Sequence, residues 1–310
     1  MGFKNPHAGR IHRKTLKDTW PYHLMLLPGI AILVIYTVLP FIGNYIAFMN
    51  FQPALGFIKS KWVGISHFKK MFLLPDTFRV FINTLSIASG KLIFNLLISI
   101  LFAILLHEMR GRTFKKSVQT IALLPHFLSW VILATVFRNV LDETGVLNTL
   151  LVKTGILQSP VVFLGNNSTF RGVIITTDVW KEFGYSAIIF IAALAGINQE
   201  LYEAAEIDGA GRLRKIWHIT LPGIRMTIVL VATLNISSIL NAGFDQVFNL
   251  YSPIVYKSGD IIDTYVYRMS FINTQYSFAT AVGLLKSLIS FLLIVSSNFL
   301  AARFANYRIF

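Results

Sequence analysis

An all-α polytopic membrane protein with six spans is the fold this sequence predicts, and three observations carry the prediction. Of 310 residues, 55% are hydrophobic and 14% charged, with a mean hydropathy of +0.63. That balance is too apolar for an ordinary soluble domain. Apolar runs of about 20 residues, the length that crosses a hydrocarbon core roughly 30 Å thick, recur at 24–48, 82–106, 117–137, 173–197, 226–248 and 277–300. Basic residues then alternate between the connections. Pieces 1–23, 107–116, 198–225 and 301–310 hold 15 Lys and Arg in 71 residues, whereas 49–81, 138–172 and 249–276 hold 10 in 96. The denser set belongs inside, so both termini are expected in the cytoplasm.

Residues 1–23 read as a basic cytoplasmic segment and 24–310 as one transmembrane domain without a long linker. The first apolar run is too long for a signal-peptide core and no small-residue cleavage site follows it, so it is expected to persist as a span. Loop 49–81 carries "KWVGISHFKKMF", a mixed apolar and basic pattern that suits a short interfacial helix. Loop 138–172, with Gly145, Gly155, Gly165 and "NNST", reads as irregular chain in which Asn166 and Asn167 are turn residues. Loop 249–276 is polar, and its Tyr251, Tyr256, Tyr265 and Tyr267 suit the headgroup level.

Ionisable groups inside spans are costly and usually face protein or water. Asp178, Lys181 and Glu182 fall in the fourth run and Asp245 near the outer end of the fifth. On continuous helices Lys181 stands about 24 Å and Asp245 about 30 Å above the inner ends, at 1.5 Å per residue. Two readings follow: a structural Lys181–Asp245 ion pair, or a polar pathway that also uses Asp178, Asn235, Asn241 and Tyr185. Trp180 and Tyr185 have faces for a sugar ring, although packing is the better account of any one aromatic side chain. Lys91 and Lys286 are single bases in their spans, open either to a neighbouring helix or to a cavity.

Several chemistries are missing. The chain has no cysteine, which removes disulfides and thiolate metal sites. Its formal charge of +14 is scattered in short clusters, without the basic stripe and stacking aromatics of a nucleic-acid binder. No Gly-x4-Gly-Lys-Ser/Thr loop is present, so nucleotide is not expected on this chain. His107, His126 and His218 lie far apart, with no metal-ligand spacing. Without a catalytic constellation, a membrane enzyme is disfavoured; an ion-coupled carrier or channel for a polar solute is the alternative to be weighed.

One connection is far longer than a link between spans requires: "YEAAEIDGAGRLRKIWHITLPG", Tyr202 to Gly223. Asn198 caps a helix whose first turn carries acids, and Leu201, Ala204, Ala205 and Asp208 share one face. Gly209 and Gly211 permit a positive-φ turn. Leu213, Ile216, Trp217 and Thr220 then form the face of a second short helix expected to stop before Pro222. The product is a helical hairpin on the cytoplasmic surface.

Glu203-Ala204-Ala205, Asp208-Gly209-Ala210 and Ile219-x-Leu221-Pro222, with nine residues between Gly209 and Ile219, closely resemble the EAA loop of ABC importer permeases. Further segments are similar to the carbohydrate branch of that family: "WVGISHF", "NTL" at Asn83, "LPHFLSWVI" followed by "GVLN", "VWKEFGY", and "DTYVYRMSF" with "YSFATAVGLLKS". Asn198 departs from the Pro common in relatives; both suit a helix start. The resemblance implies the type I ABC importer permease fold in a bacterial cell membrane. It implies a second homologous permease, a cytoplasmic ATPase dimer holding ATP and Mg, an extracellular solute-binding protein, and an oligosaccharide or polysaccharide fragment as cargo. Glu203 is implied as the main polar contact to the ATPase and Gly209 as the turn that lets the hairpin fit.

Overall fold

The computed structural model describes residues 16–305; the first 15 residues of the expected basic segment and 306–310 lie outside the described residues. The architecture is helical except for one two-stranded antiparallel pair, in which Met49 faces Trp62 and Asn50 faces Lys61. Among the described residues, three helices are long and apolar enough to cross a membrane, or up to six spans if each of three bent pairs counts as one.

Helix α1 (Leu16–Leu33) continues through a π-helical turn, Val34–Val38, to give an apolar stretch from Trp20 to Phe48. The wide turn ends two residues before Pro40, whose ring and missing N–H are poorly tolerated by a regular helix interior. The most apolar window of this stretch buries nothing within the subunit. After the strand pair, α2 (Ser66–Leu73) is the expected short amphipathic helix and inserts Met71 into the core. Pro75 opens the 34-residue α3 (Pro75–Glu108) from its first turn, where its lack of an N–H costs nothing.

The third run is not one straight span. Helix α4 (Arg112–Leu123) passes into a 3-10 turn containing Pro125, and α5 (Trp130–Val140) restarts after Ser129, with a 101° bend between the two limbs. Ser129 is extended and its hydroxyl accepts from the Ile132 N–H at 3.4 Å, so the break is capped. Loop 138–172 is also more ordered than its glycines and polar residues imply, for it holds α6 (Val146–Lys153). Buried Asn148 braces it, donating to the Asp142 and Val161 carbonyls at 2.8 and 2.9 Å and accepting from the Val161 N–H at 2.9 Å. Asn166 does form a turn, accepting from the Ser168 N–H at 3.0 Å.

Helix α7 (Phe170–Ala195) packs along α3 and leads to the hairpin arm α8 (Gln199–Ile207), bent from it by 70°. A return arm, Arg212–Gly223, joins α9 (Arg225–Ser237) at a 58° bend. The fifth run then breaks. Chain direction is regained at Gly243, φ +88°, and α10 (Phe244–Leu250) follows. Of the 249–276 tyrosines, Tyr265 does not suit a headgroup belt, for α11 (Ile262–Tyr267) buries it, while Tyr251, Tyr256 and Tyr267 are half-buried in ring contacts running to Phe244 and Phe248. Burial raises the Asp260 carboxyl, and the Arg268 guanidinium at 2.5 Å opposes that rise. Helix α12 (Tyr276–Ala305) closes the fold, and its Lys286 pairs with Asp263 at 2.6 Å.

Close helix contacts depend on glycine where backbone meets backbone. A Cβ at Gly184 of α7 would lie 2.1 Å from the Ala122 carbonyl oxygen of α4, an atom that no rotamer change moves aside. Gly184→Val is expected to cost at least the roughly 1–3 kcal/mol typical of overpacking, seen as less folded protein and a lower melting midpoint in detergent. Gly172→Val, on the same helix with nothing within 4 Å, is the control. Equal behaviour of the two variants would refute the close α4–α7 approach.

Candidate functional site

The hairpin is built by local rules. The Asn198 side chain accepts from the Glu200 N–H at 3.0 Å, starting α8. At its end the Ala210 N–H reaches the Ala205 carbonyl at 2.8 Å and the Gly209 N–H the Glu206 carbonyl at 3.1 Å. With Gly209 at φ +73°, this pairing is a Schellman cap, and the left-handed residue is the glycine. Gly211 has φ −68° and instead serves as the N-cap of the return arm. That arm does not stop before Pro222. It passes through a π turn, Ile216–Thr220, which precedes the proline, and ends at Gly223; the wider turn accommodates a ring that a regular helix would crowd.

One side of the hairpin is anchored. Tyr202 and Thr220 share a hydroxyl hydrogen bond at 3.0 Å, and Lys215 pairs with Glu206 at 2.6 Å. Ile216, Leu221 and Ile224 pack on Ala103, Phe190 and Leu194 of α3 and α7. The other side is open: Ile207 is 88%, Leu213 74% and Trp217 67% exposed. Glu203, Ala204, Asp208, Gly209 and Pro222 are also exposed, while Ala205, Ala210, Ile219 and Leu221 are half-buried.

Within the bundle, α3, α7 and the break after α9 border an open cavity of about 250 Å³ whose polar lining includes Lys91, Asn95, Asp178, Glu182, Asn235 and Asn241. Lys91 Nζ donates to Asp178 Oδ1 at 2.9 Å, to the Ala242 carbonyl at 2.8 Å and to Gln246 Oε1. Buried Gln246 donates in turn to the Ile174 carbonyl and Thr177 Oγ1, each at 2.8 Å. The ammonium therefore engages a carbonyl at the break in the fifth run and ties three helices together. A Cβ at Gly243 would stand 2.9 Å from that ammonium, so both the positive φ and the close approach favour glycine there.

The expected pathway residues divide. Asp178, Asn235 and Asn241 meet at the cavity. Lys181, Trp180, Tyr185 and Asp245 do not line it. Lys181 donates to Glu182 at 2.9 Å and to the His126 carbonyl at 2.7 Å, and His126 Nδ1 lies 2.7 Å from Glu182. The Tyr185 ring stacks on His126 at 4.0 Å, and Trp180 meets Phe137 edge-on at 5.6 Å. These side chains hold α7 against the bent third run. The expected Lys181–Asp245 pair is absent because the fifth run is not a continuous helix: its break carries Asp245 onto α10, where it is exposed. Gln246 and His126 were not singled out as functional by sequence reasoning. The signal for the first was Asn241-Ala242-Gly243, a breaker inside an apolar run.

Residues 95–306 match the family described as binding-protein-dependent transport system inner membrane component. The chain belongs to that family. Protein LplB of Bacillus subtilis (strain 168) is 43% identical over 296 residues, covering 95% of this chain and 92% of its own. The polygalacturonan/rhamnogalacturonan transport system permease protein YteP of the same organism is 38% identical over 309 residues, 99% of this chain and 95% of its own. A chain from the crystal structure of a bacterial alginate ABC transporter in complex with alginate pentasaccharide-bound periplasmic protein superposes with a TM-score of 0.85. It shares 33% identity and covers 94% of this chain and 98% of its own. The resemblance read from the EAA residues is borne out: the fold is that of a type I ABC importer permease. The chain is a permease subunit, not an enzyme, and ATP hydrolysis belongs to a separate subunit. Membership also sets aside the ion-coupled carrier.

Removing the central ammonium tests the three-helix tie. Lys91→Met leaves Asp178, the Ala242 carbonyl and Gln246 without their shared donor, an expected loss of about 3–5 kcal/mol for breaking one side of a buried pair. Adding Asp178→Asn to Lys91→Met is expected to restore part of that loss, read as the detergent melting midpoint of singles and double. Strict additivity would show that the pair is not coupled.

Proposed function

We propose that this chain forms one half of the membrane pathway of an ATP-driven bacterial importer for an oligosaccharide or polysaccharide fragment. In this reading a second homologous permease supplies the other half, and an extracellular solute-binding protein delivers the sugar. A dimer of cytoplasmic ATPases, which holds ATP and Mg, grips the 198–225 loop. The observation that carries the reading is the two-sidedness of the hairpin, whose inner residues pack on α3 and α7 while Ile207, Leu213 and Trp217 stay uncovered. An anchored lever with an exposed apolar face is what a motor requires.

Glu203, Ala204, Ala205, Asp208, Gly209, Ala210, Ile219, Leu221 and Pro222 are assigned to coupling. Asp178, Asn235 and Asn241 are assigned to the pathway wall, and Trp180, Lys181 and Tyr185 to holding α7 against the bent third run. Asp245 keeps only a peripheral place. The saccharide class rests on the relatives, one named for polygalacturonan and rhamnogalacturonan transport and one solved as an alginate transporter. The excess of basic residues on the hairpin side supports cytoplasmic termini in a multi-pass bacterial membrane protein. Residues 24–310 act as a single domain, and the uncovered first span supports contact with lipid and with the second permease.

Gly209→Val forces a β-branched residue into a left-handed turn, at about 1–2 kcal/mol, and Glu203→Lys reverses the proposed contact charge. Both variants are expected to insert normally yet release the ATPase or let it hydrolyse ATP without sugar uptake. Import, ATPase rate and ATPase co-purification are measured together; wild-type values in all three for both variants refute coupling through this loop. The isolated chain, lacking a phosphate-cradling loop, is expected to retain no nucleotide in equilibrium dialysis. Saturable ATP binding to it would refute the division of labour.

A further inference from the structure

Between residues 49 and 81 the chain carries five basic side chains and a single acid. That acid, Asp76, pairs with Arg79 at 3.1 Å, and Lys70 stands 5.4 Å from the centroid of the Phe278 ring. Lys59, Lys61 and Lys69 are exposed and, among the described residues, have no carboxylate partner. They lie at the end of the bundle away from the hairpin. Helix α2 joins α3 at Pro75, whereas the hairpin packs on Ala103, about 42 Å further along α3 at 1.5 Å per residue. Their level is set by aromatic contacts. The first apolar stretch ends at Phe48, where Trp62 meets Tyr45 and Phe48 with ring centroids 5.1 and 5.7 Å apart. Tryptophan and tyrosine gathered at the end of a span mark the headgroup region. The strand register sets Lys61 opposite Asn50, just past that end, and the Phe68 ring of α2 lies 5.5 Å from Phe48, which brings Lys69 to the same region.

Helix α2 has two apolar sides. Phe68 and Met71 pack into the core. Ile65, Lys69, Phe72 and Leu73 share another side by i, i+4, i+7, i+8 spacing, and there Phe72 is 76% and Leu73 80% exposed. Ile58, in the loop before Lys59, is 98% exposed. A surface helix in water keeps its outer side polar, whereas exposed apolar tips set among unpaired lysines suit chain lying in a lipid interface. Ammonium groups held there without acids favour a headgroup of net negative charge over a zwitterionic one, whose own cation opposes them. We propose that Lys59, Lys61 and Lys69, with Ile58, Phe72 and Leu73 set among the neighbouring acyl chains, form a docking edge for anionic phospholipid in the leaflet away from the hairpin. The ligand is the phosphodiester of a lipid such as phosphatidylglycerol, and its negative charge offsets the mutual repulsion of the three lysines.

The test uses the full chain in its purified importer complex, reconstituted in mixed vesicles of phosphatidylglycerol and phosphatidylcholine. The chain has no cysteine, so a single Ile58→Cys, labelled with an environment-sensitive fluorophore before assembly, reports on this edge alone. Quenching by dibrominated phosphatidylglycerol is compared with quenching by dibrominated phosphatidylcholine, which gives the relative association of the two lipids. The anionic lipid is expected to be preferred roughly fivefold, the effect of one lysine at a charged lipid surface. Changing Lys59→Gln, Lys61→Gln and Lys69→Gln together is expected to bring the preference within about twofold of unity. Raising the salt to about 0.5 M is expected to weaken it in the unsubstituted chain, since exposed charges are screened. Equal quenching by the two lipids, or a preference that survives loss of the lysines, overturns headgroup recognition. Quenching by neither lipid shows that another subunit or the binding protein covers this edge, and overturns the lipid site. Sugar uptake by the same vesicles is read separately, so the transport reading stands or falls independently of the lipid result.

Discussion

A carbonyl freed from a helix in hydrocarbon has no water to turn to, and that constraint makes the Lys91 ammonium the pivot of this fold. It donates to the Ala242 carbonyl, in the non-helical stretch between α9 and α10, and holds Asp178 and Gln246 at the same point. With the break secured, α9 and α10 need not be collinear, and the space opened between α3, α7 and the break is the cavity. The polar lining is thus a consequence of how the break is satisfied. Gln246 extends the same logic by donating to the Ile174 carbonyl and Thr177 of α7.

The hairpin and the cavity are joined by one continuous element. Helix α7 carries Asp178 at the cavity and runs to Ala195, three residues before the Asn198 cap. At 1.5 Å per residue, the helix from Asp178 to Ala195 spans about 26 Å. The inner face of the hairpin shares a packed cluster with α7 and α3 through Ile216, Leu221 and Ile224. A displacement applied to the exposed hairpin face therefore acts on the helix that carries half of the Lys91 tie, through close-packed side chains instead of a flexible linker. Contiguity of this kind is the physical precondition for coupling between sites.

How much of this was legible in the sequence depended on whether the signal was local. The α8 cap, the Gly209 turn and the exposed hairpin are specified by neighbouring residues, so Asn198, Gly209 and the alanine pair disclosed them directly. Apolar length marked the candidate spans, three helices or up to six with the bent pairs. What stayed hidden was set by partners distant in sequence. Lys181 and Asp245 were aligned by counting rise along ideal helices, and the count failed because Asn241-Ala242-Gly243 interrupts one of them. Pro125 and Ser129 likewise marked the 101° bend, yet in an apolar run they read as ordinary span residues. Tyr265 was grouped with interfacial tyrosines because no sequence signal shows that α11 folds inward and buries it.

Polar and apolar groups in this subunit are finished to different degrees, and the difference follows from what each demands. Among the described residues, Arg268 Nη1 is the single buried side-chain nitrogen or oxygen without a hydrogen-bond partner. The ion pairs of Lys91, Lys181, Arg268 and Lys286 are all completed within the chain. Apolar surface is left open on a large scale, along the first span and on the outer hairpin face. An unpaired charge in hydrocarbon is prohibitive at every stage of assembly, so charges are best satisfied before any partner arrives. Apolar surface within the membrane loses little while it waits, since lipid covers it as well as protein does. Among the described residues these buried charges are therefore paired within the chain, while apolar surface is left open.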